Sequence, residues 1–284
     1  RIYWTDGSIT EKHNIKANQL LEFDKAEEKT KQYKEEAPEA IYQNLTADAS
    51  IDFVHQENDF DDFEKQVLLP HKMSQFGPAL AVGDVNGDGL DDFYVGGAAN
   101  QPGKVYTQSA EGTFSANDIM PLYDKACEDI SALFFDADGD GDMDLYVASG
   151  GNEHEEGHAL YQDRLYLNDG KGNFKRNSKS LPKLVISSGK VIAHDYDKDG
   201  DLDLFVSGRH KPHSYPEPVS SYLLENNGGI FTDVTEAKAP GLINIGMVTD
   251  AVWMDIEHDG SSELILAGEW MSLQVFKETA GKFE

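Results

Sequence analysis

Four nine-residue segments gather the oxygen-bearing side chains of this sequence into one repeated pattern. They are Asp84-Val-Asn-Gly-Asp-Gly-Leu-Asp-Asp92, Asp136-Ala-Asp-Gly-Asp-Gly-Asp-Met-Asp144, Asp195-Tyr-Asp-Lys-Asp-Gly-Asp-Leu-Asp203 and Asp255-Ile-Glu-His-Asp-Gly-Ser-Ser-Glu263. Their starts lie 52, 59 and 60 residues apart, and they hold 18 of the 52 acidic residues, so much of the acidity is local. Position 1 is Asp84, Asp136, Asp195 or Asp255, and position 3 is Asn86, Asp138, Asp197 or Glu257. Position 5 is Asp88, Asp140, Asp199 or Asp259, and position 9 is Asp92, Asp144, Asp203 or Glu263. Position 6 is always glycine, which permits a sharp turn. Position 7 varies among Leu90, Asp142, Asp201 and Ser261, as expected where only the backbone carbonyl is used. Alternate carboxylate and carbonyl oxygens from one flexible loop suit a hard divalent cation, Ca²⁺ before Mg²⁺.

Magnitude favours a bound cation. Two carboxylates ~4 Å apart repel by ~4 kcal/mol at an effective dielectric of ~20, and each turn packs four or five acids. An EF-hand is excluded by spacing. It needs a glutamate at position 12, where this chain has Val95, Val147, Val206 and Leu266, and it needs flanking helices. The bland alternative is a set of Asx-rich turns that cap strands without metal. The expectation is three Ca²⁺ sites. The fourth loop stays open, because Glu257 and Glu263 put longer side chains into two ligand slots.

Short apolar runs must position these turns. Ala79–Val82, Ala132–Phe135, Val191–Ala193 and Ala251–Met254 precede them. Phe93–Gly97, Leu145–Gly150, Leu204–Gly208 and Leu264–Gly268 follow. A third run comes next, and then a turn carrying Phe114, Phe174, Phe231 or Phe283 two residues after a glycine. Such runs, broken by Gly, Asn and Asp, read as strands. Four strands in ~50–60 residues is the size of a propeller blade, and one such sheet can bury both faces only by stacking against others. The fold expected is therefore all-β, a β-propeller of four-stranded blades.

Composition bounds the function. The 284 residues carry a net charge of −28 with 39% hydrophobic residues, enough for a core. So acidic a chain repels phosphate backbones, which argues against nucleic acid, and no apolar run is long enough to span a membrane. The sequence opens on Arg1-Ile-Tyr-Trp4, which reads as strand, and suggests an excised or processed segment. Cys127 is the single cysteine, so no internal disulfide is available, and its acidic neighbours should quieten it. Residues 24–40 are charged and nearly free of apolar side chains, as in a linker or exposed helix between a segment 1–23 and the repeats from 41 to 284. Ile41-Tyr-Gln-Asn-Leu-Thr46 mirrors the outer strand Ile230–Thr235, and is expected to close the sheet of the last blade.

Strand order also predicts a second face. In a meander, the loops joining strands two and three lie opposite the acidic turns. The long inserts 151–162 and 209–218 are of this kind and should sit side by side. They carry His154, His158, Arg209, His210, Lys211, His213 and Tyr215, and the fourth unit adds Glu269 and Trp270. Long loops on a rigid scaffold are where binding concentrates, although His and Arg also simply solvate such loops. His154-Glu-Glu-Gly-His158 matches the H-E-x-x-H zinc pattern, but that pattern needs a helix and this one contains Gly157. Asn44-Leu-Thr46 fits a glycosylation acceptor, relevant only in a eukaryotic secretory protein. No nucleophile elbow or phosphate loop stands out, and no catalytic residue is assigned.

These residues resemble the FG-GAP/VCBS repeats of integrin-type β-propellers, most closely over Phe76–Gly97, and the resemblance covers roughly residues 42–284. Ile2-Tyr-Trp-Thr-Asp-Gly7 through Asn18-Gln-Leu-Leu21 is similar to the end of an ASPIC/UnbV-type segment. The resemblance implies a propeller, Ca²⁺ in the loops between the inner strands, and an exported bacterial location at the cell surface, outside the cell or in the periplasm. Such families are usually seven-bladed, so four loops imply a fragment or an unusual propeller. The function expected is a calcium-stabilised binding or scaffold module for a protein or glycan. The alternative is a polysaccharide lyase using Arg209, Lys211 and the neighbouring histidines.

Overall fold

In the computed structural model, which describes residues 1–32, 42–119, 121 and 123–284, the strand-forming runs fold as antiparallel sheets in chain order. The chain divides into two compact units, Arg1–Leu45 and Thr46–Glu284. In the first, β1 (Ile2–Tyr3), β2 (Ser8–Thr10) and β3 (Lys31–Gln32) form a three-stranded sheet. Lys31 and Gln32, in the middle of the charged stretch 24–40, thus form a strand paired with Ser8 and Ile9, while residues 33–40 lie outside the described ones.

The second unit holds the repeats. β4 (Leu80–Gly83), β5 (Asp92–Val95), β6 (Lys104–Gln108) and β7 (Phe114–Asn117) form the first four-stranded sheet. β8 (Glu128–Phe135), β9 (Asp144–Gly150), β10 (Arg164–Leu167) and β11 (Lys175–Asn177) form the second. β12 (Ser187–His194), β13 (Asp203–His210), β14 (Tyr222–Asn227) and β15 (Ile230–Asp233) form the third. β16 (Met247–Met254), β17 (Glu263–Glu269) and β18 (Gln274–Phe276) form a three-stranded fourth sheet, followed by the hairpin β19 (Glu278–Thr279) and β20 (Lys282–Phe283). Among the described residues helix is confined to short turns, such as α1 (Asp62–Lys65) and α2 (Thr235–Lys238). Among the described residues no helix is long and apolar enough to cross a membrane.

The sheets stack through both faces. In β9, Leu145 and Val147 pack with Ala79, Ala81, Tyr94 and Val105 of the first sheet. The alternate residues Tyr146 and Ala148 pack with Val191, Leu204, Val206 and Phe231 of the third. In β13 the next residue, Phe205, turns to Val248, Leu264 and Leu266 of the fourth. Strand side chains alternate faces, so a strand between two apolar layers must be apolar throughout, which explains the unbroken runs in the sequence. The first strands β4, β8, β12 and β16 are neighbours in that order, giving the radial arrangement of propeller blades. A buried ion pair between Arg164 and Asp129 adds a polar link, because Asp129 also accepts from the Tyr94 hydroxyl (2.7 Å) and the Gly97 amide (2.8 Å) of the first blade.

The closing strand proposed for residues 41–46 is not seen. Ile41 lies outside the described residues, and residues 42–46 form no strand. The chain instead finishes on its own hairpin, with Lys277 and Glu284 exchanging backbone hydrogen bonds and Phe283 buried beneath Trp253. A segment without a sequence signal does more: residues 46–75 run beside the first blade and across the insert face. There the Phe114 amide bonds Ala49, the Tyr106 hydroxyl bonds Asp52, and buried Asp62 accepts from Met73, Ser74 and Asn152.

Candidate functional site

Each acidic loop joins the last residue of a blade's first strand to the first residue of its second. The registers Gly83↔Asp92, Phe135↔Asp144, His194↔Asp203 and Met254↔Glu263 therefore put position 9 on the strand itself. The loops share one internal geometry. Position 1 accepts from the turn amides: Gly89 and Gly141 donate to Asp84 and Asp136, and Gly200 and Gly260 to Asp195 and Asp255. Position 5 accepts from the position 7 amide, through Asp88, Asp140, Asp199 and Asp259. Position 6 has positive φ in all four copies, as the glycine rule requires. Position 4 is left-handed as well, in Gly87, Gly139, Lys198 and His258, and the glycine in two copies was the signal for it.

Two loops bring carboxylates together. Asp136, Asp138 and Asp144 each offer an oxygen within 4.8 Å of the others, as do Asp195, Asp197 and Asp203. Those triads could hold a metal ion. The second loop offers a direct sign of fit, since Asp138 Oδ1 is buried and has no hydrogen-bond partner. Burial, followed by Asp140 and Asp136, raises the Asp138 carboxyl above its usual range. The position 7 side chains turn aside: Asp201 accepts from the Gly228 amide, and Asp142 lies against Gly170. In the first loop the Asn86 amide donates to Asp88 (3.0 Å).

Position 9 also braces the loop against the strands. Asp92, Asp144 and Asp203 are at most 1% exposed. Each accepts from the position 2 amide through one oxygen, at Val85, Ala137 or Tyr196. The other oxygen takes an amide of the third strand or its end, at Gln108, Asn168 or Asn226. Burial nevertheless pushes the Asp144 and Asp203 carboxyls up to about 7. Asn168 and Asn226 then latch blades together: Asn168 donates to the Val85 carbonyl in the preceding blade's loop (2.7 Å), and Asn226 donates to Ala137 (2.9 Å). Sequence reasoning missed both. Their signal was an Asn two residues before a glycine at the same point of two repeats, Asn168/Gly170 and Asn226/Gly228.

The fourth loop differs. The Lys277 ammonium reaches Glu257, Asp259 (3.2 Å) and Glu263 (4.0 Å). A built-in cation thus sits against the carboxylates that the sequence left open as a fourth metal site.

At the opposite end, the inserts meet. The His213 amide donates to Asn152 Oδ1 (2.9 Å), Lys211 lies 3.6 Å from Glu156, and the Trp270 indole donates to the Tyr215 hydroxyl (2.7 Å). Lys65–Leu69, His213, Tyr215, Pro216 and Trp270 line an open groove of 560 Å³. Trp270 is 78% exposed there. The other named residues are not free. His210 is fully buried, and burial followed by Arg209 lowers its pKa to about 3. Arg209 lies over Phe76 and pairs with Glu269 at 2.5 Å. His154 stacks on His158 with centroids 4.0 Å apart and planes 17° from parallel. Imidazole lone pairs lie in the ring plane, so stacked rings cannot aim both at one metal. The pair also sits on an irregular loop before a three-residue 3-10 turn, and the H-E-x-x-H match therefore has no zinc geometry. Cys127 is buried, and burial rather than its acidic neighbours is the main cause of its raised pKa.

Fold and loops together define a β-propeller whose blades each carry an acidic turn between their first two strands. The FG-GAP-like repeat family matches residues 84–147, 136–206 and 195–266, each match running from one acidic loop to the strand beyond the next. These matches span more than half of the chain, which belongs to that family. No curated protein sequence matches it. Among solved structures, an Agrocybe aegerita lectin that recognises non-reducing terminal N-acetylglucosamine aligns with a TM-score of 0.44 at 16% identity, over 74% of this chain and 51% of that one. A candidate exo-beta-1,3-galactanase from Bifidobacterium bifidum aligns at 0.39 and 11%, over 71% and 72%. The chain thus spans about half the length of the lectin, and likenesses this distant carry no functional inference.

Proposed function

We propose that this chain is a calcium-stabilised binding module of an exported protein, with structural Ca²⁺ in its acidic loops and a glycan ligand in the Tyr215–Trp270 groove. The convergence of Asp136/Asp138/Asp144 and of Asp195/Asp197/Asp203 carries the calcium part. Carboxylate and carbonyl oxygens are hard-cation donors, and extracellular Ca²⁺ modules bind at ~10⁻⁴–10⁻³ M, which suits a metal-replete exterior. The first loop has Asn86 in place of one carboxylate and is assigned a weaker site; the fourth relies on Lys277.

The groove carries the ligand part. An exposed indole held by the Tyr215 hydroxyl offers a flat apolar face, and Lys65, Gln66 and His213 offer polar groups around it. That combination of an aromatic platform and a polar rim fits a sugar ring better than a long apolar peptide. The lyase alternative needs free cations and a base. Arg209 is engaged by Glu269, Lys211 by Glu156 and Glu217, and His210 is inaccessible. The likeness of residues 1–23 to an ASPIC/UnbV-type segment rests on its own residues alone.

Glycan-array binding of the wild-type chain and of Trp270→Ala tests the ligand half. The proposal expects at least a tenfold loss of affinity with an unchanged melting temperature, since about 1.4 kcal/mol of lost aromatic contact is already tenfold. Equal binding by both proteins would refute it.

A further inference from the structure

The first strands of the second, third and fourth blades each bulge near their start, at the end away from the acidic loops. Asp129 and Ser131 pair with the adjacent residues Ser149 and Ala148, which leaves Ile130 out of the ladder. Val248 and Asp250 pair with Gly268 and Ala267, which leaves out Thr249. Between β12 and β13 the register slips twice, first past Arg209 and then past Gly189 and Lys190. A bulge frees a residue from the ladder and re-aims its side chain, and bulges are common beside binding sites. Here the residues passed over come together: Ile130, Gly189, Lys190, Arg209 and Thr249 line one open pocket of 410 Å³. It shares no lining residue with the Trp270 groove.

Arg209 supplies the chemistry. It is 8% exposed, its guanidinium lies over Phe76, which lines the same pocket, and its Nη2 is held by Glu269. Its Nη1 is buried and has no hydrogen-bond partner. An unpaired guanidinium N–H is costly to bury, and the planar fork suits a carboxylate oxygen above other acceptors. Gly189 makes room for the stem: a Cβ there would stand 3.2 Å from Arg209 Cβ and 2.6 Å from Ser207 Oγ.

The second cation of the pocket is Lys190, whose ammonium lies 3.6 Å from Asp250. Both side chains are well exposed, and such a loose pair is worth little, so a ligand carboxylate displaces Asp250 at small cost. Asp250 keeps the Ala251 amide (2.9 Å) in either case. Ser131 and Thr249 bring hydroxyls to the same pocket, beside the apolar Ile130 and Phe76. A cavity of this size takes a small molecule, and a lining of hydroxyls, two cations and a little apolar surface matches a hydroxylated ring that bears one acid group.

We propose that this pocket is a second ligand site of the module and binds the carboxylate of a small sugar acid. Arg209 Nη1 donates to the carboxylate, Lys190 pairs with it, and Ser131 and Thr249 face the hydroxyls.

Calorimetric titration of sodium D-glucuronate into the full chain, with D-glucose at the same ionic strength as the neutral control, tests this. Glucuronate should bind, and glucose should bind at least about tenfold more weakly, as the loss of a charge-assisted hydrogen bond implies. Arg209→Gln should abolish glucuronate binding, and Lys190→Gln should weaken it about fivefold. No glucuronate binding, or equal binding of glucose, would overturn the proposal. So would full binding by Arg209→Gln, which would place the ligand elsewhere on the chain. Should Arg209→Gln fail to fold, the partly exposed Lys190→Gln decides, and an unchanged affinity refutes the site. A glucuronate-terminated disaccharide in the same titration separates the two sources of such a carboxylate. Tighter binding than the monomer assigns the end of an acidic glycan, and equal or weaker binding assigns the free acid.

Discussion

Removing Ca²⁺ should reverse the way this protein responds to pH. Asp144 and Asp203 are buried at the base of their loops, and burial lifts each carboxyl to about 7 in the metal-free chain. An unfolded aspartate titrates near 3.9. Between those two values the folded state binds more protons than the unfolded state, so stability falls as pH rises through the window and the loss is complete above about 7. A shift of this size is at most ~4 kcal/mol per carboxyl. The loop tips are open to water, so half of that, ~2 kcal/mol per loop, is a fairer figure. From about pH 5 to about pH 8 roughly two thirds of the window is crossed, giving ~3 kcal/mol over the two loops. For a unit of this size that corresponds to ~6–12 °C in Tm. A bound Ca²⁺ keeps both carboxylates ionised and removes the penalty. Thermal melts of the EDTA-treated chain should therefore fall by that amount between the two pH values, and melts in excess Ca²⁺ should stay level or rise. Parallel pH curves with and without Ca²⁺ would refute the reasoning, because they would mean that the cation does not meet these groups.

Two further predictions follow from the site geometry. Lys277→Met should lower the Tm in EDTA by stripping the fourth loop of its counter-charge, and the same variant should recover in Ca²⁺ and bind one ion more than wild type by elemental analysis. Asn226→Ala should cost ~2–3 kcal/mol in urea unfolding, since it leaves the buried Ala137 carbonyl and Gly229 amide without their partner; a loss under ~0.5 kcal/mol would show that the latch is idle.

The acidic loops and the strands around them were legible because their signals are local. Glycine at position 6, an oxygen at every second residue and an apolar run on each side all act within about fifteen residues of one another. The middle strands read as continuous apolar runs because each faces a neighbouring blade on both sides, as Leu145/Val147 and Tyr146/Ala148 do. What stayed hidden depends on partners far along the chain. Asn168 meets Val85, Asp62 meets Asn152, Lys277 meets Glu257, and Glu128 faces Glu153; no periodicity encodes such pairs. The insert face was readable in position, from meander topology, but not in role. His210 and Arg209 look like solvated loop residues in sequence, yet they end β13, and β13 is buried along its whole length. Trp270 kept its exposure, and with the half-buried Tyr215 it is left to present the groove.

Calorimetric titration of Ca²⁺ into the metal-stripped chain, set beside the Asp138→Asn/Asp197→Asn double variant, tests the central claim most directly. The account predicts that the variant, with a neutral amide in each triad, loses the binding heat of two sites and their contribution to Tm while keeping its β-sheet circular dichroism. A variant that takes up as much Ca²⁺ as the wild type, with the same heat, would contradict it.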